Sequence, residues 1–207
     1  MKKLQTDQNL PVTDSVDSTI ENRTRPCEKK FLDDMKSIAN QMETSDVTIR
    51  VQHQFYRCHR AILSARSAYF QTLLNSSFSE KSQNEIDLSA FLSNENDFDL
   101  LHSYIYKGEA NLNQENILQY IQLSDKFLLD DLYDLCEDFL LKDHHINESN
   151  VWNILDIYNT LQRKISSGIQ TRCFHTLKAN RHLINEQCHE LLKRHPDLSV
   201  ELVKYFV

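Results

Sequence analysis

Ser45-Asp46-Val47-Thr48-Ile49-Arg50-Val51 is followed by Phe55-Tyr56-Arg57-Cys58-His59-Arg60-Ala61-Ile62-Leu63-Ser64-Ala65-Arg66-Ser67-Ala68-Tyr69-Phe70 and then by Phe78-Ser79-Glu80, and this stretch decides how the chain is read. Val47, Ile49 and Val51 alternate with polar neighbours, the pattern of a half-buried strand. Three polar residues separate them from Phe55–Cys58, so the two runs form a hairpin. Two short helical segments, 61–65 and 67–75, come next, and Glu85-Ile86-Asp87-Leu88 supplies a third strand.

The pattern extends outward in both directions. Upstream, Phe31, Met35, Ile38 and Met42 are four, three and four apart, with Leu32 and Ala39 beside them. This spacing predicts one apolar stripe on a helix ended by Ser45-Asp46. Residues 1 to about 28 are polar, carry Pro11 and Pro26 and show no period, so they read as a disordered tail. Downstream, the amphipathic run 97–107 stops at Gly108, a helix-ending residue. Asn113 is an N-cap for a helix that turns Ile117, Ile121 and Leu128 inward. Leu132, Leu135, Cys136, Phe139 and Leu140 form the next stripe. The polar stretch 142–147 marks a joint, followed by helices over 151–161, 165–177 and 184–192. Pro196 opens a last helix carrying Leu198, Leu202 and Phe206. The expected fold is α+β: a sheet of three to five strands packed on helices, then an all-α segment.

Composition removes several function classes. Only two of the 207 residues are glycine, Gly108 and Gly168, whereas a phosphate-cradling loop needs several so that backbone N–H groups can approach the anion. The net charge is −7, with no Lys/Arg block to track a nucleic acid backbone. No apolar run reaches the length of a membrane span, and the N-terminus lacks the apolar stretch of a signal peptide. The expectation is a cytoplasmic or nuclear protein whose five cysteines are free thiols. His144-His145, Cys173-x-His175 and Cys188-His189 match no zinc spacing. No cofactor, metal or catalytic residue is expected.

The stretch from Asp46 through the His59–Leu63 run to Ser67-x-Tyr69-Phe70 resembles the BTB/POZ domain family, as do Tyr104-Ile105-Tyr106-Lys107-Gly108 and the 132–140 helix. The resemblance covers residues 29–143. Asn150-Val151-Trp152-Asn153-Ile154-Leu155 and His195-Pro196-Asp197-Leu198 are similar to the short BACK segment of speckle-type POZ proteins, over residues 144–207, without the MATH domain of those proteins.

The resemblance implies a non-catalytic homodimeric adaptor for a cullin-3 ubiquitin ligase, presenting a substrate not identifiable from sequence. Phe31, Leu32, Met35, Ile38 and Met42 would form the dimer interface. Phe78 and Glu80 would bind cullin-3, with Tyr106 on the flanking surface. Asp46, His59 and Arg60 would form the polar cluster at the floor of the BTB groove, read as a satisfied hydrogen-bond network. Two further readings are a scaffold or antagonist acting through mixed dimers with other BTB proteins, and a transcriptional co-repressor platform. No nucleic acid or membrane partner is implied.

Overall fold

The computed structural model describes residues 29–207 apart from 40, 76–83, 93, 143, 162, 164 and 185. The described strands are β1 (Val47–Val51), β2 (Gln54–Cys58) and β3 (Glu85–Asp87), in the order β2-β1-β3. β1 and β2 form the expected antiparallel hairpin, with Val47 opposite Cys58. β3 runs parallel to β1, with Ile49 opposite Ile86. The alternation of β1 places Val47, Ile49 and Val51 in the core. Gln52 makes the hairpin turn at φ 52°, in the left-handed region. Its N–H donates to Ser89 Oγ at 2.7 Å and its side-chain amide to Ser89 O at 2.9 Å, which offsets the cost of that conformation.

The chain between β2 and β3 carries α2 (Arg60–Arg66) and α3 (Ala68–Asn75). Ser67, buried at their junction, caps α3 by accepting the Phe70 N–H at 3.2 Å and donates to Phe127 O at 2.7 Å. Tyr69, Phe70, Phe91 and Phe127 pack around it with ring centroids 5.1–5.4 Å apart. Beyond the sheet, α4 (Glu95–Lys107) is capped by Asn94, which accepts the Asn96 N–H. Gly108 ends it at φ 66° and donates to Tyr104 O, as the sequence predicts.

Asn113 caps the turn that leads into α5 (Ile117–Lys126), as expected: its side chain accepts the N–H groups of Glu115 and Asn116 and its carbonyl that of Ile117. Two expectations need correction here. Ile117 and Ile121 are buried, but Leu128 is 45% exposed at φ 52° and Phe127 takes the core position. The helix has ended at Lys126, so its periodicity no longer places residue 128. In α6 (Asp130–Leu140), Leu132, Cys136 and Leu140 are buried and Phe139 partly so, whereas Leu135 faces outward and Tyr133 is in the core.

The tail consists of α7 (Val151–Thr160), α8 (Ser167–Ala179), α9 (Glu186–Arg194) and α10 (Pro196–Phe206). Ser166 caps α8, and Pro196 occupies the first turn of α10, where its missing N–H costs nothing. Leu198 and Leu202 are buried and Phe206 partly so. The Trp152 indole donates to Leu183 O at 3.0 Å, and Asp156 receives His195 at 3.0 Å and Arg194 at 3.1 Å. Val151, Ile154 and Leu155 of the tail belong to the same continuous core as Ile49 of the sheet and Ile121 of α5. No helix among the described residues is long and apolar enough to cross a membrane.

Candidate functional site

The helix α1 spans 29–38 and lies against the body of the fold. Ile38 and Ala39 pack on the core, and Lys36 pairs with Glu109 just past the Gly108 turn. Among the described residues the outer part of the stripe is left largely uncovered: Phe31 is 64% exposed and Leu32 50%. Met42 does not continue the stripe. The chain turns after residue 38, and Met42 opens a separate 3-10 turn, Met42–Thr44, exposed to solvent.

Beneath Phe31, Leu32 and Met35 lies an apolar groove of about 440 Å³, floored by Ile62, Ile105 and Tyr106. Ala61 and Ala65, one turn apart on α2, line the same groove and keep it open because neither side chain extends beyond a methyl. These small residues carry no pattern in the sequence that distinguishes them from ordinary helix formers.

The polar cluster meets this groove through Tyr106, whose ring lines it and whose hydroxyl bonds His59. Asp46 Oδ1 accepts the backbone N–H of Arg60 at 2.8 Å, so it caps α2 from fourteen residues upstream, where His59 gives no side-chain cap. The Arg60 guanidinium reaches back to Asp46 O at 3.4 Å. His59 donates its N–H to the Tyr106 hydroxyl at 2.8 Å. Its Nδ1 lies 3.0 Å from that hydroxyl and its Nε2 2.9 Å from Thr44 Oγ1. Asp46 and Arg60 thus engage each other, while the neighbouring His59 is held by Tyr106 and Thr44.

Tyr106 is only 2% exposed, with its hydroxyl committed to His59. It belongs to the floor of the groove, and the role of flanking surface for a partner does not fit it. Phe78 and Glu80 lie outside the described residues.

Burial dominates the electrostatics. It pushes the Cys58 thiol up to about 12, against the opposing effect of the Tyr106 hydroxyl. It raises the Tyr106 phenol as well. His102, tilted against Tyr106 with ring centroids 4.5 Å apart, is held below its ordinary value by burial and by Lys107. Cys136 and Cys173 are likewise pushed up to about 12 by burial, so these are thiols and not thiolates at neutral pH. Among the described residues no three His, Cys, Asp or Glu side chains gather as a metal site would require. What the arrangement offers is an apolar surface set on a rigid, hydrogen-bonded floor.

That combination, on a small sheet packed with helices, defines an α+β protein-interaction module. The BTB/POZ domain model matches residues 35–144, more than half of the chain, and the chain belongs to the BTB/POZ domain family. Kelch repeat and BTB domain-containing protein 4 of Homo sapiens is 29% identical over 136 residues, covering 66% of this chain and 24% of that protein. Kelch repeat and BTB domain-containing protein 8 of Xenopus tropicalis is 24% identical over 208 residues, covering 97% of this chain and 33% of that protein. The chain therefore spans a quarter to a third of the length of these relatives. A solved structure of the BTB (Tramtrack and Bric a brac) domain of human gigaxonin matches with 24% identity and a TM-score of 0.48, covering 65% of this chain and all of that one.

Proposed function

We propose that the chain is a homodimeric adaptor for a cullin-3 ubiquitin ligase, joined to its second copy through α1 and the groove beneath it. The observation that carries the dimer is the pair Phe31 and Leu32, more than half and half exposed beside an apolar groove that continues the same surface. A second α1 laid against this face buries apolar area on both copies, at roughly 25 cal/mol per Å². Met35, half-buried at the seam, and Ile38, packed on the core, anchor the helix that presents the pair.

In this reading Phe78 and Glu80 bind cullin-3, with the aromatic side chain as anchor and the carboxylate at the rim. Residues 29–143 form the BTB part and residues 144–207 a BACK-like segment that extends the surface toward an unknown ubiquitylation substrate, in the cytoplasm or the nucleus. Catalysis is left to the ligase; the adaptor contributes proximity. Membership of the BTB/POZ family and the likeness to Kelch and BTB proteins support the reading. The apolar floor of the groove also suits a mixed dimer with another BTB protein, and the two cations in its lining, Arg66 and Lys107, favour one that brings acidic residues to its edge. The co-repressor reading draws less support, since Asp46 and His59 are already engaged within the chain.

Calorimetry with the N-terminal region of cullin-3 tests the adaptor role. Binding that weakens at least about thirtyfold in Phe78→Ala, about 2 kcal/mol, is the expected result. Absence of binding by the unaltered chain would overturn the adaptor role. Binding unaffected by Phe78→Ala would overturn the site.

A further inference from the structure

Just past the Gly108 turn that ends the α1 groove, a second cleft of about 550 Å³ opens between α6 and the segment joining α4 to α5. Ala110 and Leu112 line it from that segment, and Leu135, Asp138, Phe139 and Lys142 from the α6 side. Four of these six residues are apolar, and Leu135 is 42% exposed, so the cleft presents apolar surface to a partner.

The charge of α6 selects the kind of partner. Its sequence, DDLYDLCEDFL, holds five acidic residues and no basic one. Asp130 and Asp131 lie in the first turn, where the helix dipole favours them. Asp130 is also paired with Arg163, and Asp131 shares a small cleft with Arg66. Glu137 meets the N–H and hydroxyl of Ser166 at the joint with the tail. Asp134 and Asp138 remain. Both are exposed on the face that carries Leu135, and neither is in an ion pair among the described residues. They are four residues apart, a spacing at which like charges on a helix repel. Asp138 also lies in the last turn, where the dipole favours a cation and the helix supplies none. Lys142, the one cation in the lining, forms no ion pair with Asp138 among the described residues.

We propose that this cleft is a docking site for a cationic amphipathic segment of a partner protein. An apolar side chain of the segment seats against Leu112, Leu135 and Phe139, and Lys or Arg residues on either side of it meet Asp134 and Asp138. The α1 groove has the opposite character, because Arg66 and Lys107 are in its lining and no carboxylate is. The two surfaces therefore take different partners. The site does not rest on the adaptor role.

Fluorescence anisotropy with the full chain tests the site. The probe is a labelled helical peptide of Lys, Leu and Ala with its leucines on one face, and its counterpart carries Glu at every Lys. The cationic peptide is expected to bind and the acidic one is not. Leu135→Glu and Asp138→Lys alter exposed positions, and each is expected to weaken binding at least about tenfold, as loss of a central contact does. Asp99→Lys, at an exposed position of α4 outside the cleft, makes the same change in net charge as Asp138→Lys. It is expected to alter affinity less than about twofold, because salt screens a distant charge. No binding of the cationic peptide, equal binding of the acidic one, affinity unchanged by Leu135→Glu, or equal losses from Asp99→Lys and Asp138→Lys would overturn the proposal. A lower mass of the Leu135→Glu chain by light scattering would also overturn it, by assigning the cleft to a second copy. If Leu135→Glu does not fold, hydrogen exchange of the unaltered chain decides. Saturating cationic peptide is expected to slow exchange across 109–113, which lie in neither helix nor strand, and protection gained only elsewhere refutes the site.

Discussion

Tyr106→Phe removes one oxygen and leaves every carbon in place, so it isolates the hydrogen bonds that lie beneath the apolar floor of the groove. The lost hydroxyl accepts the His59 N–H at 2.8 Å, lies 3.0 Å from His59 Nδ1 and interacts with the Cys58 thiol. The ring is 2% exposed, and water has little access to replace it. The His59 N–H would then be stranded at the entry to α2, which costs about 1–3 kcal/mol. For a domain of this size each kcal/mol lowers the melting temperature by roughly 2–4 °C, so a fall of about 2–12 °C is expected. Urea unfolding followed by circular dichroism measures the free-energy change directly, and His59→Ala in the Tyr106→Phe background should cost less than it does alone, because the two residues share one network. A change below about 0.5 kcal/mol, the range of ordinary surface substitutions, would refute the argument that this hydroxyl organises the strand–helix junction.

Ser67→Ala deletes a buried hydroxyl that caps α3 and donates to Phe127 O, and should cost about 1–3 kcal/mol in the same assay. Leu128→Gly relieves a left-handed leucine whose side chain is 45% exposed, and should raise the urea midpoint by the equivalent of up to about 1 kcal/mol. The Asp87 carboxyl is held below the usual range by the hydroxyl and N–H of Ser89, and further by Arg50. Its contribution to stability is therefore present above the ordinary carboxylate range and lost as pH falls through the lowered value. Asp87→Asn should lower the urea midpoint at pH 7 and leave it unchanged at the acid end of the titration.

Elements that depend on local pattern were legible in the sequence. The alternation of Val47, Ile49 and Val51 sets β1 because burial on one face imposes a period of two. Gly108 ends α4 because its left-handed φ is cheap only for glycine. The pieces that escaped depend on residues distant in sequence. Asp46 caps α2 across fourteen positions, a bond no local spacing encodes. Tyr106 reads as a surface tyrosine until α4 is seen to aim its hydroxyl at His59. Leu128 and Met42 were misplaced for one shared reason: each follows the end of its helix by a few residues, and apolar spacing carries no information about which turn ends the period. The groove under α1 was half visible. Its cover, Phe31, Leu32 and Met35, lies on a legible stripe, whereas Ala61 and Ala65 and the floor residues Ile62, Ile105 and Tyr106 come from two other helices.

The mass of the purified chain in solution tests the central claim most directly. Light scattering at micromolar concentration should give twice the 24.4 kDa chain mass. Met35→Asp, which places a carboxylate in the apolar seam at a cost of several kcal/mol, should return the single-chain mass with the circular dichroism of the fold retained. A 24.4 kDa species for the unaltered chain, or a dimer that survives Met35→Asp, would contradict pairing through α1.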